Sequence, residues 1–147
     1  MGRIFPCSIG RGGIGEKLGE GDGVTPIGSF ELLEVFFRPD KTQPLGSPIG
    51  LTYIWSDDPK DPNYNSLQTC SLYPYGHEKM RRSDCLYNVI GDVSFNRTPP
   101  VPGEGSAIFL HVWRAPRYPT EGCIAFDQRD LTYILERWTD KSRIIVR

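Results

Sequence analysis

A cysteine and a histidine in the C-terminal part of this chain are the residues best suited to covalent catalysis. Cys123 follows Gly122 at a point where a loop re-enters apolar sequence at Ile124. A nucleophilic thiol needs a base that removes its proton, and backbone amides beside a glycine can donate to the oxyanion that forms. Of the two histidines, His77 lies in a polar segment, whereas His111 ends an apolar one, where an unpaired imidazole would be costly to bury. The sequence therefore favours Cys123 as the nucleophile, His111 as its general base and Gly122 as part of the oxyanion site.

Other interpretations of these residues stay open on residue type alone. Cys123 could be a small buried side chain, and His111 could be a structural group in a strand. A zinc site is disfavoured, because the segment 77–81 lacks the second histidine of a zincin helix and the four cysteines form no Cys-x-x-Cys pair. We therefore expect no bound metal.

The remaining cysteines suggest no catalytic role. Cys7 lies in an apolar segment and is interpreted as a small residue in a strand. Cys70 and Cys85 share a polar, irregular segment, where a disulfide could join them in an oxidising compartment. Two unrelated packed thiols are the preferred interpretation.

Length and charge disfavour several broad classes of protein. The chain has 147 residues, which suits a single domain over residues 1–147. A formal charge of -1 gives no general attraction to nucleic acid, and the pair Arg81-Arg82 is too small a basic patch to supply it. No apolar run approaches the roughly 18 residues that a membrane span needs, and the N-terminus lacks the apolar core of a signal peptide. We expect a soluble monomer whose leader was either trimmed or never present.

Strand-like segments dominate the sequence. Patterns of apolar and polar residues predict strands over residues 3–10, 28–37, 51–55, 88–93, 106–113 and 143–147. The segment 106–113 is apolar on both faces, which is typical of a central strand. One helix is predicted after Asp127, a residue type that caps helices, with an apolar stripe formed by Leu131, Ile134, Leu135 and Trp138. These elements predict a mainly β fold, either a β-sandwich or a half-open barrel of mixed strands, with one C-terminal α-helix packed on it.

Two long segments have no predicted secondary structure. Residues 10–23 are rich in glycine and begin with Gly10-Arg11-Gly12-Gly13-Ile14-Gly15, a formal match to the dinucleotide-binding fingerprint. That fingerprint needs a helix at its end, and more glycines follow here instead, so we expect no nucleotide cofactor. Residues 56–88 are polar and show no period, and we expect them to wall a groove.

The segment that carries the candidate catalytic residues resembles the active-site region of L,D-transpeptidases of the YkuD type. The resemblance rests on Gly105-Ser106-Ala107-Ile108-Phe109-Leu110-His111-Val112-Trp113-Arg114, followed by Pro119-Thr120-Glu121-Gly122-Cys123-Ile124-Ala125-Phe126. In that family a histidine on a strand is followed by a loop, Ser or Thr, one further residue, Gly and the nucleophilic Cys. A second family motif is similar to Gly21-Asp22-Gly23-Val24-Thr25-Pro26-Ile27-Gly28-Ser29-Phe30. A third similarity, to the short bacterial branch of the family, is found in Trp55-Ser56-Asp57-Asp58-Pro59 and Tyr64-Asn65. The resemblance therefore extends over nearly the whole chain.

Two features depart from the best-known branch of that family. Glu121 stands where that branch has a second histidine, and Ala125 and Phe126 stand where it has Arg or Asn. A carboxylate that faced the sulfur would raise the pKa of the thiol. We therefore expect Glu121 to point away from Cys123, either into solvent or toward the amine of an acceptor.

If the cationic residue after the cysteine holds the substrate in the best-known branch, another cationic side chain must take that role in this chain. Arg114 is the first candidate, followed by Arg117 and Arg82, because a guanidinium binds a carboxylate through two hydrogen bonds. Surface pairing of these arginines with Glu78 or Asp84 is an open alternative. We expect the substrate-binding side chains to be Arg114, Thr120, Trp113, Tyr64 and Arg82.

The resemblance implies a peptidoglycan L,D-transpeptidase. Cys123 would attack the bond after meso-diaminopimelate in a tetrapeptide stem, expel D-alanine, and pass the acyl group to an amine of a second stem as a 3,3-cross-link. The chemistry implied needs no cofactor. The implied partners are peptidoglycan stem peptides, with a wall-anchored protein as a further candidate, in the periplasm or cell envelope. Carbapenems should acylate Cys123. A hydrolase with the same site (an L,D-carboxypeptidase or amidase) and a non-catalytic wall-binding module are the alternatives.

Overall fold

The computed structural model describes residues 2–147 and shows the mainly β fold that the sequence predicts. In this described part there are thirteen short strands and one helix. In chain order they are β1 (Cys7–Ser8), β2 (Ile14–Gly15), β3 (Thr25–Pro26), β4 (Gly28–Phe30), β5 (Leu32–Phe37), β6 (Ser47–Pro48), β7 (Tyr53–Ser56), β8 (Leu67–Thr69), β9 (His77–Lys79), β10 (Val89–Val93), β11 (Phe109–Val112), β12 (Ile124–Phe126), α1 (Gln128–Glu136) and β13 (Ile144–Val146).

A six-stranded mixed sheet forms the centre of the molecule. Its strand order is β1-β12-β11-β10-β5-β6, with β11 between a parallel partner, β12, and an antiparallel partner, β10. All four residues of β11 are buried, which confirms the prediction of a central strand that is apolar on both faces. The smaller sheets are β8-β7-β9, β13-β4 and β2-β3, and within residues 2–147 no sheet closes into a barrel.

The two faces of the central sheet are covered by different elements, because alternate side chains of each strand point to opposite faces. On one face Phe109 of β11 meets Trp55 of β7 edge to face, with ring centroids 4.9 Å apart. On the other face Leu110 belongs to the same core as Leu131 and Leu135 of α1. The three-stranded sheet therefore covers the face that carries Phe109, and the helix covers the opposite face.

Helix α1 begins where the sequence predicts. Asp127 is its N-cap, and the carboxylate accepts a hydrogen bond from the amide of Arg129 at 2.9 Å. The prediction that Trp138 extends the helical stripe is wrong, because the helix ends at Glu136 and Arg137 leaves the helical conformation. No helix of residues 2–147 is long and apolar enough to cross a membrane.

Both segments that were predicted to be irregular contain strands. Strands β8 and β9 flank β7 in an antiparallel sheet within residues 53–79, and β2 pairs in parallel with β3 at the edge of the glycine-rich loop. These strands have two or three residues, too few for an alternating pattern to be recognised. Conversely, the strands predicted over 3–10 and 106–113 are shorter than expected, and residue Ala107 in the second has a positive φ of 53°.

The four cysteines of the described chain are free thiols. Cys7 and Cys70 are half-buried, Cys123 is buried, and Cys85 is exposed. The interpretation of Cys70 and Cys85 as unrelated thiols is therefore confirmed, but Cys85 is not packed in the interior.

Candidate active site

The parallel pairing of β11 with β12 places Cys123 and His111 on one face of the central sheet. The register pairs Leu110 with Ile124 and His111 with Ala125. Since side chains alternate along a strand, His111 shares a face with Ala125, and Cys123, two residues before Ala125, lies on that face too. Both side chains line one cavity of about 420 Å³.

The thiol of Cys123 is held by the backbone around it. Its Sγ donates to the carbonyl of Ala107 at 3.1 Å and accepts from the amide of Phe109 at 3.3 Å. The residue is 9% exposed. Burial raises the pKa of Cys123 to about 12, although the amide of Phe109 opposes this shift. The resting side chain is therefore a neutral thiol.

The ring of His111 is oriented so that one nitrogen is free to act as a base. Its Nδ1 lies 2.8 Å from the carbonyl oxygen of Val112, and because a carbonyl only accepts, Nδ1 carries the proton. The other nitrogen, Nε2, is then the basic one. Burial lowers the pKa of His111 to about 4, so the imidazole is neutral at physiological pH. The ring of Tyr87 contacts it edge to face, with centroids 5.6 Å apart.

Gly122 is required by the close approach of another backbone segment. It has a φ of 136°, and a Cβ at this position would lie 2.8 Å from the carbonyl oxygen of Val24. Its amide donates to Thr120 Oγ1 at 3.1 Å, and its carbonyl accepts from Thr25 Oγ1 at 2.9 Å. Since that amide already has an acceptor, the contribution of Gly122 is to the shape of the loop more than to an oxyanion site. The hydroxyl of Thr120 also donates to the carbonyl of Cys123 at 2.6 Å, which fixes the turn.

Tyr64 and Asn65 support the segment that binds the thiol. Asn65 is buried, and its Oδ1 accepts from the amide of Ala107 at 3.1 Å. The hydroxyl of Tyr64 accepts from the amide of Gly105 at 3.1 Å and donates to the carboxylate of Glu20. Tyr64 does not line the cavity, contrary to its expected role in substrate binding. The Tyr-Asn pair instead holds the carbonyl of Ala107 in place beside the thiol.

The cavity brings together some of the residues predicted from the sequence. Arg82, Arg114 and Thr120 line it with the two catalytic candidates. Trp113, which follows the end of β11, does not line it, and its amide donates to the carbonyl of Phe126 at 2.9 Å. The result is an open cavity with a buried thiol and a neutral imidazole at its base, an arrangement suited to acyl transfer.

A comparison with protein families agrees with this geometry. A model of the L,D-transpeptidase catalytic domain, YkuD, matches residues 2–146 of the 147-residue chain. The chain belongs to the L,D-transpeptidase family. Comparisons with curated proteins and with solved structures found no match.

The three arginines considered for this member of the L,D-transpeptidase family differ in their surroundings. Arg82 forms two hydrogen bonds with Asp84, at 2.9 and 2.6 Å, so the surface-pairing alternative holds for it. The guanidinium of Arg114 lies over the ring of Tyr118, 5.0 Å from its centroid, and no carboxylate of residues 2–147 lies within salt-bridge distance of it. Arg117 is exposed and does not line the cavity. Arg114 is therefore the arginine best placed for a substrate carboxylate.

Glu121, the first departure from the best-known branch of the L,D-transpeptidases, is a surface residue with a partner. Its side chain is 74% exposed, and both carboxylate oxygens accept from Nε of Arg11, at 2.9 and 3.1 Å. Arg11 also donates to the carbonyl of Gly21 at 2.6 Å. These contacts agree with the expectation of a solvent-facing carboxylate, and the ion pair with Arg11 was not anticipated.

Several cavity residues were missed by the sequence argument. They are Lys17, Glu20, Asp57, Glu78 and Tyr87. Asp57 lies in the motif that resembles the short bacterial branch, and Glu78 follows His77, so both could have been noticed. Glu78 accepts from the hydroxyl of Tyr87 at 2.6 Å, and burial raises the pKa of this carboxyl. Lys17 gives no signal in the sequence, because its position depends on glycines far away along the chain.

Proposed function

We propose that this chain is a single catalytic domain that forms a thioester between Cys123 and a peptidoglycan tetrapeptide stem and transfers the acyl group to an amine. The observation that supports this most directly is the shared cavity, in which the thiol of Cys123 and the imidazole of His111 lie on one face of the sheet. Membership of the L,D-transpeptidase family supports the same chemistry.

Acylation begins from a neutral thiol and a neutral imidazole. As Sγ of Cys123 attacks the carbonyl after meso-diaminopimelate, its proton passes to Nε2 of His111, and the carbonyl electron pair moves to oxygen. Collapse of this tetrahedral species breaks the C–N bond, and D-alanine leaves as an amine with the proton from His111. Because the pKa of His111 is lowered to about 4, the imidazolium is a strong enough acid to protonate the leaving nitrogen.

The second half-reaction regenerates the thiol. An amine of a second stem attacks the thioester, His111 takes its proton, and Cys123 Sγ leaves and recovers a proton, so that a 3,3-cross-link is the product. Arg114 is the candidate ligand for a stem carboxylate, because it borders the cavity with no carboxylate partner of its own among residues 2–147. Glu78 and Asp57 border the same cavity and provide negative charge suited to an ammonium group of a stem.

Peptidoglycan as substrate places the activity in the periplasm or cell envelope. Carbapenems are expected to acylate Cys123, since their strained carbonyl is attacked by the same nucleophile. A wall-anchored protein could serve as an acyl acceptor if it offers a free amine.

Mass spectrometry after incubation with purified disaccharide-tetrapeptide tests the proposal. A cross-linked dimer is the expected product. Tripeptide product without dimer would instead identify an L,D-carboxypeptidase. Cleavage of a cross-linked dimer would identify an amidase. If the substrates were unchanged and the protein carried no adduct, the proposed catalysis would be contradicted. A non-catalytic wall-binding module would then be the better explanation. Protein with the Cys123→Ala substitution is the matched control for each reaction.

A further inference from the structure

A buried lysine reaches the catalytic loop from a distant part of the chain. The side chain of Lys17 is 3% exposed, yet it lines the same cavity as Cys123 and His111. Its ammonium group forms an ion pair with Asp22, with 2.6 Å between Nζ and Oδ1, and it also lies 3.4 Å from the carbonyl oxygen of Val24. Burying an ammonium is costly, so a structure that does so must compensate that charge and hold it in place.

Two glycines with positive φ create the space through which this lysine passes. A Cβ at Gly105, where φ is 115°, would lie 2.5 Å from Lys17 Cε. A Cβ at Gly122, where φ is 136°, would lie 3.4 Å from Lys17 Nζ. The ammonium is therefore placed against the residue directly before the nucleophile. Any side chain at Gly105 would displace the lysine.

Asp22 fixes the position of the lysine. One of its oxygens binds Lys17 Nζ and the amide of Val24 at 2.9 Å, and the other accepts from the amides of Leu18 at 2.8 Å and Gly19 at 3.3 Å. Burial acts to raise the pKa of Asp22, but the hydrogen bonds from Lys17 and these amides outweigh it and lower the pKa to about 2. The carboxylate is thus ionised, and it holds the lysine in one orientation.

We propose that the Lys17 ammonium is a catalytic group that stabilises the negative charge formed when Cys123 attacks the scissile carbonyl. This inference rests on the proposed acyl transfer. The amide of Gly122 donates to Thr120, so it is not free to donate to the oxyanion. Lys17 has three N–H donors, and two of them have acceptors in Asp22 and Val24. The remaining N–H can be donated to the carbonyl oxygen as its electron pair forms, while the thiol proton passes to His111.

The electrostatics of the thiol agree with this role. Burial raises the pKa of Cys123 to about 12, and the charge of Glu78 acts in the same direction, whereas the charge of Lys17 acts to lower it. The geometric support is that Lys17 Nζ faces Gly122, the residue directly before Cys123. Lys17 then supplies the positive charge that the family's best-known branch carries after the cysteine, where this chain has Ala125 and Phe126.

The test separates the charge of Lys17 from its contribution to the fold. Lys17→Met removes the ammonium with little change of length but leaves Asp22 unpaired, so it is compared with the double variant Lys17→Met/Asp22→Asn, in which both charges are gone. Stopped-flow acylation by a carbapenem should be at least about a hundredfold slower in both, by analogy with loss of one oxyanion donor. Lys41→Met, at an exposed position, is the matched control and should acylate at the wild-type rate.

A purely structural lysine gives a different pattern. The double variant, freed of the unpaired charge, would then acylate within threefold of wild type, and this result would overturn the proposal. If wild-type protein itself is not acylated, the proposed function fails first, so the two failures are distinct.

Measurement on the wild-type protein keeps the proposal testable even if neither variant folds. In protein labelled with ¹⁵N-lysine, the protected Nζ resonance of the buried Lys17 should shift when the carbapenem adduct forms, while those of exposed lysines stay in place. An unchanged resonance on full acylation would show that the ammonium does not contact the acyl oxygen.

Discussion

Cys123 and Arg114 line the same cavity, but the protein holds them in different ways. The buried side of the cavity is formed by His111 and Cys123 and adjoins Gly122 in the chain. It is fixed by hydrogen bonds to backbone carbonyls and amides and by close backbone contact at Gly122. The exposed side, formed by Arg114, Tyr118 and Glu121, is held by a cation–π contact and a solvent-exposed ion pair. Acyl transfer needs fixed geometry and exclusion of water at the reacting atoms, whereas substrate recognition tolerates weaker positioning.

This contrast explains where the sequence can depart from the best-known family pattern. Glu121 replaces a histidine without placing an unpaired charge beside the thiol, because its carboxylate faces solvent and Arg11. A similar change at Gly122 would bring a side chain against the carbonyl of Val24. If the contrast is correct, substitutions on the buried side should have much larger effects than those on the exposed side.

The largest effect is expected for Cys123→Ala. Turnover of disaccharide-tetrapeptide should fall below one hundredth of wild type, since the thiol itself forms the intermediate, and the carbapenem adduct should vanish from the intact mass. The circular dichroism spectrum should be unchanged, because Ala occupies a similar small space. Residual turnover above that level would contradict the assignment of the nucleophile.

His111→Ala should slow acylation at least about a hundredfold, the lower end of what a positioned general base contributes. The matched control is His77→Ala, whose Nδ1 contacts the carbonyl of Tyr75 and which does not line the cavity. In the wild-type protein the acylation rate should persist below pH 6 and fall as the pH drops through about 4, because protonation of His111 removes the base. Loss of rate near pH 6.5 would indicate that the imidazole is not buried in solution.

Gly122→Ala should destabilise the fold by about 2 kcal/mol or more, because it combines an unfavourable φ with contact between Cβ and a backbone carbonyl. Gly103→Ala is the control, since it too has a positive φ, 88°, but no atom lies within 4 Å of its Cβ position. It should cost only about 1 kcal/mol. Urea denaturation of both variants measures the difference, and equal losses would show that the close approach to Val24 is unimportant.

Arg114→Ala should raise KM for the tetrapeptide about tenfold and leave kcat within about twofold, because an exposed guanidinium contributes to binding a carboxylate more than to the chemical step. Arg117→Ala, which removes an exposed arginine outside the cavity, should change neither constant. If kcat fell as much as kcat/KM, Arg114 would act in the chemical step, as the residues of the buried side do, and not only in substrate binding.

The smallest effect is expected for Glu121→Ala. Its exposed ion pair with Arg11 contributes at most about 1 kcal/mol, so acylation by a carbapenem should stay within about threefold of wild type. Any defect should appear in the use of the amine acceptor. A tenfold loss of acylation rate at neutral pH would place Glu121 in the catalytic machinery. The contrast between the buried and the exposed side of the cavity would then fail.

The sequence by itself determined the class of fold, the central strand and the capped helix. Phe109 to Val112 form a run too apolar for an edge strand, and Asp127 marks the helix start through local chemistry. Cys123 and His111 were also proposed as nucleophile and base from the sequence, because few residue types can perform that chemistry and the motif around Cys123 resembles that of the family; the structure brings both side chains into one cavity.

Only the tertiary structure decided which other groups surround the thiol. Tyr64 was expected to bind substrate but instead holds Gly105, and Lys17 was overlooked although it lies against Gly122. Both positions arise from contacts between segments 41 to 105 residues apart, and a local pattern carries no information about such contacts. Whether a polar side chain faces solvent, a backbone carbonyl or a cavity is set by the packing of those segments, which also determines the pKa of the thiol.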